Sequence, residues 1–212
     1  MADKLDYKKE YKDLYLPGRK PVQIDVPEMK FIQVDGQGEP GGAAYQEALQ
    51  LLYALSFTIK MSKMGKEPIE GYFDYVVPPL EGLWWSGDGR LDLDSPRSEW
   101  RWTSMIRQPE FVTEEVFQWA ADQCRAKKPE LNVAKARFVS FREGLCVQMM
   151  HTGPYAEEKR TIGEILAYIR ESGLIDASGA ERKHHEIYLS DPRRTAPEKL
   201  KTVLRLPVEE IR

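Results

Sequence analysis

The sequence predicts an α+β fold made by tandem duplication of a β-β-α-β-β unit, with antiparallel sheets and helices on one side. Segments that alternate apolar and polar residues surround three helical patterns, and Pro or Gly turns separate them. Residues 30–38 (KFIQVDGQG) also resemble residues 145–153 (LCVQMMHTG) in their apolar strand, glutamine and turn glycine. Because the order of elements repeats too, we interpret residues 1–212 as a single domain with an arm at 1–19 and halves at about 20–108 and 113–208.

In the first half, prolines and glycines separate the predicted elements. The arm should contain a short helix that ends at Pro17-Gly18, Pro27 should divide two strands, and Pro78-Pro79 should turn a hairpin. An apolar stripe that includes Leu52 and Ile59 predicts a long helix ending at Gly65. The predicted order is strands at 21–26 and 29–34, a helix at 43–64, and strands at 70–77, 80–85 and 99–106.

The second half follows the same plan after an additional helix. Thr113 is a good N-cap for that helix, which has acids in its first turn and ends near Lys127-Lys128. Gly173 ends the next predicted helix. The predicted order is strands at 134–141 and 144–150, a helix at 157–172, and strands at 183–189 and 201–207.

Composition excludes several classes of protein. Hydrophobic residues make up 42% of the chain and charged residues 31%, without a run near the ~20 apolar residues that span a bilayer. A mixed-charge N-terminus is unlike a signal peptide, and two cysteines give no disulfide framework. A net charge of −3 without a basic stripe disfavours nucleic-acid binding. We therefore expect a cytoplasmic protein, monomeric or weakly dimeric, that binds neither membrane nor nucleic acid.

Glu186 is the most informative charged residue. It lies in a predicted strand, HHEIYL, where alternation places Glu186 and Tyr188 on one face and Ile187 on the other. A strand glutamate is most often solvated. Five Trp, ten Tyr and seven Phe elsewhere, several on strands, favour a covered position instead. In the repeat, Asp74 is predicted to match Glu186.

Familiar catalytic and cofactor motifs are absent from the sequence. His184 and His185 point to opposite faces of their strand, so with His151 they predict no metal site. The serines lack a G-x-S-x-G context, which disfavours a Ser-His-Asp hydrolase. The glycine-rich segment 35–42 matches no phosphate-binding motif. We predict no cofactor.

Four motifs together resemble the GyrI-like small-molecule-binding proteins, in their stand-alone branch. They are DVPEMKF at 25–31 followed by VDG at 34–36, EGLWW at 81–85, GLCVQMMHTGPY at 144–155 and HHEIYLSDP at 184–192. The likeness spans nearly the whole chain. It departs at Glu39-Pro40-Gly41, where relatives commonly have Asp-Pro-Asn, so contacts from that loop do not carry over. The resemblance implies two half-sheets meeting over a central ligand groove lined by aromatics, with helices on the convex side and a buried acid at Glu186.

The resemblance implies two activities, which stay open at this point. One is binding of planar, apolar, often cationic compounds. The other is detoxifying hydrolysis of cyclopropanoid DNA-alkylating xenobiotics in an aromatic cage. A third interpretation, a regulatory partner of a macromolecule such as DNA gyrase, rests on the family name alone. Binding and hydrolysis both require a buried acid with aromatic walls.

For hydrolysis, Glu186 would activate water while Tyr72 or Tyr155 stabilises the oxygen that gains charge. Trp85, Trp102, Phe111 and Tyr188 are the predicted ligand-binding residues. Since Trp84 and Trp85 face opposite ways in a strand, only one of them can line the groove. Tyr155 could equally serve as a staple that joins its turn to the following helix.

Overall fold

The structure is a computed structural model that describes residues 4–65 and 69–211. Its helices are α1 (Tyr7–Glu10), α2 (Lys12–Tyr15), α3 (Ala43–Lys60), α4 (Glu114–Lys127) and α5 (Glu158–Glu171). Its strands are β1 (Val22–Gln37), β2 (Leu80–Trp85), β3 (Arg101–Arg107), β4 (Ala136–Thr152), β5 (Leu174–Asp176), β6 (His184–Tyr188) and β7 (Lys201–Glu210). The predicted α+β class is confirmed.

One antiparallel sheet connects the two halves. Its strand order is β4-β1-β3-β2-β6-β7-β5, and an additional β4–β7 pairing closes six of the strands into a barrel-like sheet. β5 lies outside this ring and, within the described part of the chain, pairs with the end of β7 alone. Both edges of β2 are occupied, by β3 and by β6.

The opening strands of each half are longer than predicted. β1 runs through Pro27, and β4 runs through Gly144, so each replaces two predicted strands. Proline has no amide hydrogen, and Pro27 accordingly drops out of the β1–β4 register, which resumes at Glu28. Gly144 has a φ of +74°, which glycine adopts readily, and this lets β4 bend without ending.

The predicted hairpin over residues 70–85 is wrong in its first arm. Residues 70–77 form no strand, and Tyr75 makes only an isolated bridge with Leu5 of the N-terminal arm. The side chain of Asp74 instead accepts hydrogen bonds from Lys60, the last residue of α3, and from Lys63 in the turn that follows. Because β3 and β6 flank β2, no edge of β2 is free to pair with this segment.

The strand register supports the duplication and corrects one residue match. In the first half, Val34 pairs with Ser104, which pairs with Gly82. At the equivalent place in the second half, Met149 pairs with Leu204, which pairs with Glu186. Gly82 is therefore the counterpart of Glu186. The prediction that Asp74 occupies that place is wrong, since Asp74 lies outside the sheet.

The three long helices, α3, α4 and α5, pack on the outer face of the closed sheet. α3 and α4 cover one core with residues such as Ile32 and Trp102. α5 covers a second core that includes Val147 and Leu204. The opposite face, which includes Phe31, points into the barrel and contacts α1 and α2. No helix in the described part of the chain is both long enough and apolar enough to cross a membrane.

A charged network occupies the barrel interior. His185 lies between two carboxylates, with Nδ1 3.0 Å from Glu143 Oε2 and Nε2 3.0 Å from Glu81 Oε2. The second contact is an ion pair without a well-directed hydrogen bond. Arg205 donates to Glu143 at 2.8 Å and to the Leu14 carbonyl at 2.9 Å. Tyr15 donates to Glu81 at 3.2 Å, so the network fastens the N-terminal arm to the barrel.

Candidate functional site

Glu186 lies on the outer, helix-bearing face of β6, and only 8% of its surface is exposed. Its Oε1 atom lies 3.1 Å from Nε2 of His184, and its Oε2 atom accepts a 2.7 Å hydrogen bond from the Tyr188 hydroxyl. Trp84 Nε1 donates to the same hydroxyl at 2.7 Å. A carboxylate has about four lone-pair sites, so Glu186 keeps capacity for a further donor such as water.

Gly82 leaves room for this hydrogen-bonded chain. It lies directly opposite Glu186 in the β2–β6 pairing. A Cβ atom on Gly82 would come within 2.7 Å of Trp84 Nε1 and 3.3 Å of the Tyr188 hydroxyl. Any larger residue would therefore displace the indole that donates to Tyr188.

The start of α5 brings a second carboxyl group to the site. The turn formed by Tyr155–Glu157 leads directly into α5, whose first residue, Glu158, is 5% exposed. The Tyr155 ring packs edge-on against Tyr188 with centroids 6.1 Å apart, and Tyr155 itself is 40% exposed. His151 Nδ1 lies 2.8 Å from Thr161 Oγ1, which fastens α5 to the end of β4.

Tyr45, in the first turn of α3, closes the other side of the site. Its ring lies 5.6 Å from Trp84 and 5.2 Å from Trp102 between centroids. The benzo edge of Trp102 rests on Gly36, where an added Cβ would approach within 2.2 Å. The site thus lies between the beginnings of α3 and α5, over β2, β3 and β6.

Burial and negative charge keep the hydroxyl groups of the site protonated. Burial, with smaller effects from Glu158, Glu186 and Asp191, raises the pKa of Tyr155 to about 12. Burial and Glu186 also raise the pKa of Tyr45 and Tyr188. At neutral pH these three tyrosines are therefore hydrogen-bond donors.

The same two causes act on the second acid. Burial first, and then the charge of Glu186, raise the pKa of Glu158 well above its ordinary value. Two buried carboxyl groups close to each other resist simultaneous ionisation, because their charges repel. The site therefore holds two acids that differ in environment: Glu186 has two hydrogen-bond partners, and Glu158 Oε1 has none among the described residues.

Comparison with known proteins identifies the family. The model of the GyrI-like small molecule binding domain matches residues 19–209. The chain belongs to this family. This GyrI-like domain is similar to an uncharacterized conserved protein from Listeria innocua, with 56% identity, a TM-score of 0.93, and coverage of 97% of this chain and 100% of that one.

Two further solved structures are similar to this GyrI-like domain. A hydrolase from Listeria innocua is 54% identical, with a TM-score of 0.89 and coverage of 97% of this chain and 100% of that one. The C-terminal domain of EcmrR is 11% identical, with a TM-score of 0.56 and coverage of 91% and 98%, and shares the fold alone. None of the curated proteins matches the chain.

The structure brings some of the predicted site residues together. Glu186, Tyr188 and Tyr155 are in one cluster, and Trp102 borders it through Tyr45. The cluster lies on the same face as the helices. This differs from the predicted groove on a concave face opposite them, because α3 and α5 flank the site instead of covering the far side of the sheet.

Trp85 lies on the other face of β2, away from Glu186. Its ring has Lys183 Nζ 4.8 Å from the centroid, and it lines a surface cavity of about 550 Å³ together with Arg101 and Arg137. A smaller cavity of about 300 Å³ adjoins Trp102 and α3. Neither cavity is lined by Glu186. Of the tandem tryptophans, Trp84 is therefore the one beside the acid.

Tyr72 and Phe111 lie far from Glu186. Tyr72 donates a 2.8 Å hydrogen bond to the Lys60 carbonyl, and its ring packs 5.2 Å from that of Phe111. Lys60 and Tyr45 lie at opposite ends of α3, roughly 20 Å apart at about 1.5 Å per residue. Tyr72 and Phe111 belong to an aromatic cluster with Tyr75 and Phe73.

Three residues of the cluster were not predicted, Tyr45, Glu158 and His184, and Trp84 was left open as the alternative to Trp85. Alternation along β6 places His184 and Glu186 on one face, so the sequence did contain a signal for His184. The places of Tyr45 and Glu158 depend on the entry angles of two helices, which the sequence pattern does not specify. Among the described residues, no group of three or more His, Cys, Asp or Glu side chains is arranged to hold a metal ion.

Proposed function

We propose that this GyrI-like domain binds planar, apolar, often cationic xenobiotics at the Glu186 cluster and hydrolyses an activated cyclopropane ring in them, as a detoxification step. One observation carries the proposal: a nearly buried carboxylate, oriented by His184 and Tyr188, lies among aromatic rings. We expect it to act in the cytoplasm as a monomer or weak homodimer.

The site offers chemistry for binding a flat cation. Aromatic faces attract a cation by about 0.5–2 kcal/mol each, more when water is excluded. The carboxylate of Glu186 offsets the cost of removing the cation from water. Tyr45, Trp84 and Tyr188 supply rings within contact of one another. A neutral planar ligand would use the same rings without the ionic contribution.

The same groups serve ring hydrolysis. Glu186 removes a proton from water, whose oxygen forms a bond to a cyclopropane carbon. The strained carbon–carbon bond breaks, and its electron pair moves through the conjugated system to a carbonyl oxygen, which becomes phenolate. Tyr155, protonated at neutral pH, donates a hydrogen bond to that oxygen. Relief of ring strain supplies much of the driving force, and each tenfold in rate requires only about 1.4 kcal/mol.

Access to Glu186 depends on Tyr155. The two cavities described above lie elsewhere, and the cluster is closely packed. Tyr155 is the exposed member of the cluster and covers Tyr188, so movement of its ring opens the path to the acid. Loops that carry such rings commonly adjust when a ligand enters.

The family and its relatives support the two parts of the proposal, binding and hydrolysis, to different degrees. Small-molecule binding follows from the family description, and the similar hydrolase from Listeria innocua supports catalysis. A non-catalytic, sequestering role is the alternative, favoured by the binding function that names the family. Product analysis distinguishes the two.

The experiment follows loss of a cyclopropanoid substrate and identifies its product by mass. We expect a water-added product formed faster than in buffer, and slowed by about a hundredfold or more in Glu186→Gln. Glu164→Gln, at an exposed position on α5, is the matched control and should retain the wild-type rate. Tight binding with unreacted substrate would leave a sequestering protein.

A further inference from the structure

Glu158 is a buried acid that neither the fold nor the network around Glu186 uses. It is the first residue of α5, and its Oε1 atom is buried without a hydrogen-bond partner among the described residues. Structural acids at such positions ordinarily bond to backbone amides or to a cation. A buried oxygen without a partner is costly for the fold, and its position near the Glu186 cluster indicates a role toward a ligand there.

The local geometry directs Glu158 toward that cluster. Tyr155 and Glu158 are three residues apart in a turn of 3-10 helix leading into α5, a spacing that places their side chains on one face. That face packs on β6, since the ring of Tyr155 rests against Tyr188. Glu158 therefore lies on the side of α5 that faces Glu186 and Tyr188.

The groups around Glu158 favour its protonated form. β6 presents Glu186 and Tyr188, and its own turn presents Tyr155; none of these is a cation. Tyr45 of α3 lies behind them, beside Glu186 and Tyr188. Burial and the charge of Glu186 raise the pKa of Glu158, whereas a helix N-terminus such as that of α5 favours a negative charge. From β4, the nearby His151 is engaged with Thr161 and Pro154.

We propose that Glu158 is the proton donor of the site: a carboxylic acid that is neutral in the free protein and is presented, opposite Glu186, to an oxygen of the ligand. This inference rests on the proposed function and deepens it. A carboxylic acid kept neutral at pH 7 beside a tyrosine donor is an established way to stabilise an oxygen that gains charge.

The two acids together balance the reaction. Glu186 accepts one proton from water as the carbon–oxygen bond forms. As the ring carbon–carbon bond breaks, Glu158 gives its proton to the carbonyl oxygen, so the product leaves as a phenol instead of a phenolate. The protein then has Glu186 protonated and Glu158 ionised, and transfer of one proton between them restores the starting state. The net change is addition of one water molecule to the substrate.

Proton release on binding tests the protonation of Glu158 without any turnover. Calorimetry with ethidium, a planar cation, at pH 7 in two buffers of different ionisation enthalpy gives the number of protons released. We expect a release of up to one proton in the wild type, because a cation between the acids favours ionisation of Glu158, and about none in Glu158→Gln. Glu164→Gln should behave as the wild type.

Kinetics test the transfer. In Glu158→Gln we expect kcat to fall by about a hundredfold with KM within about twofold, and the alkaline limb of the pH–rate profile to disappear. Because the amide keeps a hydrogen-bond donor, this variant should bind coumarin, a neutral carbonyl compound, better than Glu158→Ala does. A stability measurement by thermal unfolding confirms that both variants are folded.

The outcomes separate this inference from the proposed function. If the wild type shows no turnover, hydrolysis is overturned. If ethidium binding still releases a proton that Glu158→Gln does not release, Glu158 is protonated in the free protein. Turnover that depends on Glu186 but is unchanged in Glu158→Gln overturns the assignment of Glu158. Binding of ethidium with no proton release in the wild type also overturns it.

Discussion

Gly82 and Glu186 are directly opposite each other in the β2–β6 pair, and they are also counterparts in the two halves of the duplicated fold. The second half thus contributes the acid, and the first half contributes a glycine, whose lack of a side chain leaves space opposite it. The gap above Gly82 is filled by Trp84 Nε1 and the Tyr188 hydroxyl, both part of the chain that ends on Glu186. Divergence of the two halves has therefore made one asymmetric site at their junction.

Gly82→Ala should disrupt the site without touching the acid. The new Cβ would lie 2.7 Å from Trp84 Nε1, so the indole must move and its hydrogen bond to Tyr188 is lost. Overpacking of this kind costs about 1–3 kcal/mol. We expect lower thermal stability, together with at least a tenfold loss of affinity for a planar dye measured by tryptophan quenching.

Gly163→Ala provides the matched control. Gly163 is an exposed residue within α5, and a Cβ there meets nothing within 4 Å. Alanine at such a helix position is stabilising by about 0.5–1 kcal/mol. Equal effects of the two substitutions on dye affinity would contradict the role assigned to Gly82.

Tyr155→Phe should lower turnover, whereas Tyr72→Phe should lower stability. Removing the Tyr155 hydroxyl takes away a donor to the developing oxyanion, and such donors contribute about a hundredfold or more to kcat. Tyr72 bonds the Lys60 carbonyl at the far end of α3, so its loss should cost about 1 kcal/mol of stability and leave turnover near the wild-type value. Rates and unfolding midpoints measured on both variants decide the matter.

If Tyr72→Phe lost turnover at unchanged stability, the reacting group would lie in the aromatic cluster with Phe111 and not at Glu186. The two variants thus distinguish two places in the molecule that the sequence could not separate. Both tyrosines follow short glycine-containing turns and both are followed by an acid within two residues, which is why the sequence pattern does not distinguish them.

Periodicity predicted the helices and the closing strands well because each buries one face. α4 begins after Thr113, whose hydroxyl accepts a hydrogen bond from the Val116 amide, as the capping pattern predicts. β6 places Glu186 and Tyr188 side by side, as alternation requires. These features depend on neighbours within a few residues, and the sequence contains that information.

Features set by long-range pairing were not predictable in the same way. Residues 70–77 have the composition of a strand, but β2 already has two partners, so the segment packs as an irregular aromatic cluster. The same long-range register decides which tryptophan meets Glu186: Trp84 pairs with His184, on the same face as the acid. A pattern of apolar residues does not contain the register between strands a hundred residues apart.

Trp84→Phe and Trp85→Phe should separate the two tandem tryptophans. We expect Trp84→Phe to weaken dye binding by about tenfold or more, since it removes both a wall of the site and the donor to Tyr188. Trp85→Phe should leave affinity within about twofold, because that ring stacks near Lys183 on the opposite face. Loss of affinity in Trp85→Phe alone would move the binding site to the 550 Å³ cavity that Trp85 lines.

The charged network in the barrel predicts how stability depends on pH. Burial lowers the pKa of His185, but Glu143 and Glu81 outweigh it and raise the value from 6.5 to about 9. Burial raises the pKa of Glu143, but His185 and Arg205 outweigh it and lower the value from 4.5 to about 2. The imidazolium and the carboxylate are therefore both charged in the folded protein across the neutral range.

The two groups stabilise the fold over different pH ranges. The contribution of His185 is complete below pH 6.5 and is lost as the pH rises through about 9. The contribution of Glu143 is complete above pH 4.5 and is lost as the pH falls through about 2. Stability should therefore be greatest between these ranges and decline on both sides, with a slope of up to about 1.4 kcal/mol per pH unit for each proton.

Chemical denaturation from pH 3 to pH 9.5 measures this dependence, and His185→Gln tests its alkaline side. The variant should be less stable at pH 6, and the difference from the wild type should shrink as the pH approaches 9, because the wild type then loses its imidazolium. Nuclear magnetic resonance of the wild-type imidazole gives the same pKa even if the variant fails to fold. An imidazole that titrates near pH 6.5 would show that Glu81 and Glu143 do not hold the charge, and the N-terminal arm, fastened through Arg205 and Tyr15, would then need another explanation for its order.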